Sequence, residues 1–217
     1  MEIISQVIDF FLHLDKHLFD IINEYGTLTY LILFLIVFTE TGLVFMPLLP
    51  GDSLLFAAGA LAASTGALNV WLIIILLIIA ALLGDNVNYF VGKFLGAKIK
   101  ERKQILFLKK EYLERTEDFY ERHGGKTVIM ARFIPIIRTV APFVAGAGSM
   151  KYSKYILFCV AGALLWVPTL TLAGYFLGNI PIVKNNFEIV IFGVIGISVV
   201  PIIWGYIKSK FSSPTAA

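Results

Sequence analysis

Cysteine is nearly missing from this chain: Cys159 stands alone. A single thiol excludes an intrachain disulfide and any cysteine-built metal centre, and its place in an apolar run reads as a small core residue. Charge is scarce too. Asp, Glu, Lys and Arg make up 15% of 217 residues, against 58% hydrophobic, where soluble domains run at about 45–50% apolar and about 25% charged. The common enzyme signatures are also missing. There is no G-x-x-x-x-G-K-[ST] loop, no G-x-S-x-G elbow and no H-E-x-x-H pair, and Gly146-x-Gly148 is too short a signal for nucleotide binding. The chain is therefore expected not to be an enzyme, and to need no cofactor, metal or nucleic-acid partner. His13, Asp15 and His17 are read as the solvated side of a helix rather than as ligands. The first residues lack a basic start and a small-residue cleavage site, so no cleavable signal peptide is expected.

What is present is long apolar sequence. Residues 28–39, 68–84, 155–178 and 189–207 are almost free of charge. The last three approach or reach the ~20 residues that cross ~30 Å of hydrocarbon, and a buried soluble helix is seldom apolar all round for so long. Ahead of them, Ile3, Val7, Phe11, Leu14, Leu18 and Ile21 recur at helical spacing, with acidic and polar residues between. Residues 1–26 therefore read as an amphipathic helix lying in the membrane interface.

The chain also repeats itself. Phe45-Met46-Pro47-Leu48-Leu49 matches Phe133-Ile134-Pro135-Ile136-Ile137. Ala58-Gly59-Ala60 matches Ala145-Gly146-Ala147, and Gly92-Lys93-Phe94-Leu95-Gly96 matches Gly174-Tyr175-Phe176-Leu177-Gly178. Three matches in one order argue for an internal duplication. Each copy is an apolar segment broken by Pro and Gly, followed by a long unbroken apolar helix ending in Gly-x-x-x-Gly, a spacing that suits close helix contact. Pro47, Pro50 and Gly51 break the first copy, and Pro135 and Pro142 the second. Non-helical backbone at membrane depth is tolerated only inside protein or beside water, so both broken segments are expected to be re-entrant hairpins.

One crossing separates the hairpins, so they must enter from opposite faces. The expected fold is an all-α polytopic membrane protein, an inverted repeat of two re-entrant hairpins each followed by a transmembrane helix. The parts are the interfacial helix at 1–26, repeat 1 at 27–96, a linker helix at 97–126, repeat 2 at 127–178 and a C-terminal transmembrane helix at 187–210. In the linker, Leu108, Tyr112 and Phe119 are read as one helical face. Of the 18 Lys and Arg residues, fourteen then fall in the cytoplasm. Only Lys16 and Lys184 fall outside, and Arg132 and Arg138 lie in the second hairpin. That split follows the positive-inside rule and places the linker and the C-terminus in the cytoplasm.

Intramembrane charge is the most informative feature. Glu40 and Asp52 belong to the first copy, Arg132 and Arg138 to the second. A charge at the bilayer centre costs ~2.5–3.5 kcal/mol, so these four must pair, face water or bind something. If the hairpin breaks meet, opposite charges converge. They either lock the hairpins together or work separately. In the second case the arginine forks suit a phosphate oxyanion, and Glu40 or Asp52 takes up and releases a proton. Asp85, in the first crossing, either lines the same path as a proton site or serves the helix end locally.

Taken together these residues resemble the DedA family of bacterial inner-membrane proteins, within the SNARE-associated or VTT-domain superfamily. The resemblance covers nearly the whole chain. It rests on Phe38-x-Glu40-Thr41-Gly42, Pro47-x-Leu49-Pro50-Gly51-Asp52-Ser53-Leu54, Gly84-Asp85-x-x-Asn88-Tyr89-x-x-Gly92 and His123-Gly124-Gly125-Lys126. It continues through Ala131-Arg132-Phe133-x-Pro135-x-x-Arg138-Thr139, Ala141-Pro142-Phe143-x-Ala145-Gly146, Gly162-Ala163-x-x-Trp166 and Gly174-Tyr175-Phe176. It implies transport of a lipid carrier, with undecaprenyl phosphate or a phospholipid as substrate, and a part in envelope and proton-motive-force homeostasis. It also implies that the essential acids are Glu40 and Asp52 and the essential arginines Arg132 and Arg138. Two positions depart from the pattern: Cys159 stands where relatives often carry Asn, and Lys93 where they often carry Arg. The expected partners are an anionic lipid, protons and the surrounding membrane lipids, and a homodimer is compatible with the sequence. A proton-dependent exporter of small cations and a structural membrane scaffold are the competing expectations.

Overall fold

The computed structural model describes residues 24–43, 51–102, 104–105, 108–109, 132, 135–148, 150–178 and 180. Most of the expected interfacial helix, Pro47 and Pro50, most of the linker and the whole C-terminal helix at 187–210 lie outside the described residues.

Helix α1, Leu28–Gly42, is apolar on two faces for two reasons. Thr29, Leu33, Val37 and Glu40 recur every three to four residues and are buried against the protein. Leu28, Leu31 and Leu35 on the far side are exposed. Exposed leucine opposite buried leucine is the pattern of a helix with protein on one side and lipid on the other. Helix α2, Gly51–Thr65, is buried over nearly all of its length and carries mostly Ala, Gly and Leu. Both helices have 15 residues, about 22 Å at the helical rise, short of the ~30 Å hydrocarbon layer.

Helix α3, Val70–Arg102, is the long one. It starts where the Asn69 side chain accepts the Trp71 and Leu72 backbone N–H groups at 2.9 and 3.3 Å, an N-cap. Trp71, Ile75, Ile79, Leu83, Val87 and Phe90 form a continuous exposed apolar stripe on it. Helix α4, Pro135–Ala147, has proline as its first residue, where the missing N–H costs nothing. Helix α5 is Tyr152–Leu177. Among the described residues, two helices are long and apolar enough to cross a bilayer, Val70–Gly96 within α3 and α5.

Two details depart from the sequence expectation. The linker helix expected from residue 97 does not begin there: α3 runs on through Gly92 and Gly96 to Arg102, because nothing after Gly96 breaks the helix. Beyond it, β1, Gln104–Ile105, pairs antiparallel with β2, Leu108–Lys109. Leu108 is therefore a strand residue and not part of a helical face. The rest of the linker, residues 110–126, lies outside the described residues.

The duplication appears as an exchange of partners. The α2 helix of the first copy packs on α5 of the second, and α4 of the second packs on α3 of the first. The contacts correspond residue by residue. Gly59 lies on the Thr171 carbonyl, and its counterpart Gly146 lies on the Tyr89 carbonyl. Gly174 lies on the Phe56 carbonyl and Gly92 on that of Phe143, while Gly178 meets Ala60 and Gly96 meets Ala147. A Cβ at any of these glycines would overlap its neighbour, so both seams depend on backbone-to-backbone approach. The Gly-x-x-x-Gly pairs are thus helix contacts, as their spacing suggests. Helix α1 crosses α3 separately, with Gly42 against Gly84.

Candidate functional site

The last turn of α1 carries Glu40, the first turn of α2 carries Asp52, and the first turn of α4 carries Arg138. Partner exchange between the repeats brings these three helix ends together. The Arg138 guanidinium donates to Glu40 Oε1 at 2.5 Å and to Asp52 Oδ1 at 2.6 Å. Glu40 and Arg138 are almost completely buried, at 1% and 3% exposure. Glu40 Oε1 also accepts the Gly51 backbone N–H at 3.2 Å. Its carboxylate lies where a Cβ on residue 51 would be, so only glycine fits there. Position 51 is the first residue of α2, and its lack of a side chain seats the acid.

Trp166 of α5 joins the cluster from the side. Its indole N–H donates to Asp52 Oδ1 at 2.8 Å. Its ring also lies under the Arg138 guanidinium, with Cζ 4.6 Å from the ring centroid. Pro142 has no N–H for the Arg138 carbonyl one turn earlier in α4, so the helix is loosened beside the arginine.

Arg132 forms a second cluster. It pairs with Asp85 of α3 rather than with Glu40 or Asp52. The same guanidinium nitrogen lies 3.3 Å from the Cys159 carbonyl and 3.2 Å from its sulfur. The Cys159 thiol donates to Asp85 at 3.2 Å, and the Tyr155 hydroxyl donates to the Asp85 carbonyl at 2.9 Å. Gly162, one turn on from Cys159, leaves the space that the Arg132 side chain fills. A small cavity with room for about one water lies between the clusters, lined by Asp85, Arg132, Arg138, Ala141, Pro142 and Cys159.

Of the expected site residues, Glu40, Asp52 and Arg138 meet directly. Arg132 joins them only across the cavity. Asp85 is buried and ion-paired in the middle of α3, away from either helix end. Gly51 and Pro142 lie at the site, Pro135 opens α4, and Pro47 and Pro50 lie outside the described residues. Sequence reasoning missed three contributors. Cys159 is buried as a core residue would be, but its thiol and carbonyl are polar partners of the Arg132–Asp85 pair. Trp166 and Tyr155 carried no charge to mark them. The available signal was that each lies in α5 near the level of the charged residues with a polar group to place.

Chemically, the site holds two guanidinium groups against three carboxyl groups, all buried except Asp52, whose side chain is 13% exposed. Among the described residues, Glu40 Oε2, Arg138 Nε, and Arg132 Nε and NH1 are buried without a hydrogen-bond partner. Such an arrangement can exchange a carboxylate for another oxyanion on an arginine, and can hold a proton on a carboxyl oxygen.

The VTT domain family matches residues 49–176, a span that takes in α2, α3, α4 and nearly all of α5. The chain is similar to Protein DedA of Escherichia coli (strain K12), at 50% identity over 218 residues and 100% of both chains. It is similar to an uncharacterized membrane protein of Mycobacterium leprae, at 42% identity over 166 residues, 76% of this chain and 74% of the relative. It is also similar to Inner membrane protein YqjA of Escherichia coli (strain K12), at 37% identity over 153 residues, 70% of this chain and 69% of the relative. No solved structure matches the chain.

Proposed function

The chain belongs to the DedA family of VTT-domain membrane proteins, and from that premise we propose that it moves a phosphate-bearing lipid across the cell inner membrane. Undecaprenyl phosphate or a phospholipid is the substrate, and protons drive or reset the cycle. The observation that carries this reading is Arg138, buried at the meeting point of the two repeats and held by Glu40 and Asp52 from the other copy. A guanidinium held by two carboxylates offers the planar fork that a phosphate monoester uses.

The cycle follows from charge. Three carboxyl groups and two arginines balance only when one carboxyl is protonated, because an uncompensated charge at membrane depth is expensive. An arriving phosphate would displace Glu40 and Asp52 from Arg138, and the displaced acids would then accept protons. Arg132 would steady the headgroup from across the cavity, with Asp85 exchanging in the same manner. The segments at 28–65 and 127–147 would dip into the bilayer from opposite faces as re-entrant hairpins, with the C-terminus in the cytoplasm. The short α1 and α2 support this, since neither reaches across the hydrocarbon alone.

The same ion pairs also favour a second reading, a scaffold whose charges lock the hairpins. Reconstitution separates the two. Purified protein in liposomes should speed the movement of a fluorescent phosphate lipid over protein-free liposomes, and an imposed pH gradient should increase the rate. No acceleration of any phosphate lipid would remove the transport reading. Acceleration that ignores the gradient between about pH 6 and 8.5 would remove the proton coupling and leave a passive scramblase.

A further inference from the structure

We propose that Trp166 is the positioning residue of the substrate site, holding Arg138 and Asp52 in place while a phosphate headgroup exchanges with the carboxylates. The proposal rests on the reading that Arg138 takes the phosphate. Trp166 is 1% exposed, and it touches both members of the ion pair through different parts of one ring system. Its N–H edge donates to Asp52 Oδ1 at 2.8 Å. That same oxygen accepts Arg138 at 2.6 Å. Its π face lies 4.6 Å from Arg138 Cζ.

The two contacts do different jobs during exchange. When a phosphate takes the Arg138 fork, Asp52 loses its arginine, and a buried carboxylate without a donor is costly. The indole N–H is already bonded to that oxygen and stays behind, so Asp52 is never without a partner. The ring meanwhile supports one face of the guanidinium. That supports the fork without using any of its N–H groups, which bond the carboxylates now and phosphate oxygens on exchange. Trp166 comes from α5, which is held to α2 by the Gly59–Thr171 and Gly174–Phe56 contacts. Its position relative to Asp52 on α2 is therefore set by close backbone-to-backbone approach. Any buried tryptophan needs a partner for its N–H, but core filling alone would not place both members of one ion pair on the same ring.

Farnesyl phosphate binding to the purified full-length protein in detergent, measured by calorimetry, tests this, with farnesol as the uncharged control and Tm recorded for every variant. Trp166→Phe keeps an aromatic face and loses the N–H. Its Kd for farnesyl phosphate should rise about fivefold, the loss of one buried hydrogen bond. Trp166→Leu loses both contacts and should weaken binding further, by at least about tenfold in all. Trp166→Phe should lower Tm by about 2–4 °C for the lost hydrogen bond and volume, while its farnesol binding stays at the wild-type value. Wild-type affinity for farnesyl phosphate in Trp166→Phe would overturn the proposal. So would equal losses for farnesyl phosphate and farnesol, which mark a residue that only packs. The underlying reading fails separately: if wild-type protein prefers farnesol, or Arg138→Lys binds farnesyl phosphate normally, Arg138 is not the phosphate site, whatever Trp166 does.

Discussion

The two halves of this molecule are built alike and charged oppositely. Each contributes a short helix and a long helix, and each packs its short helix on the long helix of the other through matching glycines, Gly59 with Gly174 and Gly146 with Gly92. Yet Glu40, Asp52 and Asp85 all come from the first half, and Arg132 and Arg138 from the second. Symmetry made the frame and its loss made the site. A duplicated chain with identical charges would have set like against like at the centre, where opposite charges now pair across the repeat boundary.

The largest effect should come from breaking the charge asymmetry at its centre. Arg138→Ala leaves Glu40 and Asp52 without their shared cation and should destabilise the protein by ~3–5 kcal/mol in thermal unfolding. Replacing both acids as well, Glu40→Gln with Asp52→Asn, should recover much of that stability. Arg138→Lys keeps the charge and loses the fork, so it should insert and unfold normally while lipid transport collapses. Normal transport by Arg138→Lys would assign the charges to locking rather than to a substrate.

The Arg132–Asp85 pair should behave as its own unit, although it uses the same two halves. Each single neutralisation, Arg132→Gln or Asp85→Asn, should cost several kcal/mol. The double variant should cost less than the sum by ~1–3 kcal/mol. Additive losses would mean that the two clusters share their partners across the cavity.

Symmetry itself is tested by substituting one glycine in each seam. Gly59→Val and Gly146→Val each press a side chain into a backbone carbonyl, so each should lower stability by ~1–3 kcal/mol, and by similar amounts. Losses that differ several-fold in thermal unfolding would show that the two seams are not equivalent, despite their matching contacts.

The smallest effect belongs to Cys159. Cys159→Ala removes a thiol donor from Asp85 and an acceptor from Arg132, and should cost ~1 kcal/mol. Cys159→Asn, which restores a polar side chain able to donate and accept, should recover that loss. A destabilised Cys159→Asn would mean that the small volume of the thiol matters more than its polarity.

Much of this was legible along the chain. Long charge-poor runs gave α3 and α5, since an apolar helix of that length has few other uses. The matched Pro- and Gly-broken segments gave the duplication, and four charges in apolar surroundings marked the centre. Three things were not legible. Arg132 turned to Asp85 because α4 packs on α3, a choice between acids that no spacing encodes. Cys159 and Trp166 carry no charge, so periodicity placed them in the core along with their neighbours. The short strand pair beyond α3 depends on local pairing of Gln104 with Lys109 and Ile105 with Leu108, a signal too brief for a pattern of helical length.

The sequence by itself determined which stretches are apolar enough for lipid, that the chain is duplicated, and that opposite charges sit on opposite copies. Those follow from composition and from the high cost of bare backbone and charge in hydrocarbon, which act residue by residue. Tertiary structure alone decided which acid each arginine meets, and that a tryptophan and a cysteine of α5 complete the two clusters. Those choices depend on the exchange of helices between repeats and on glycine seams a few ångströms wide. They set the distances between residues 27 to 114 positions apart in the chain, and no local preference reaches that far.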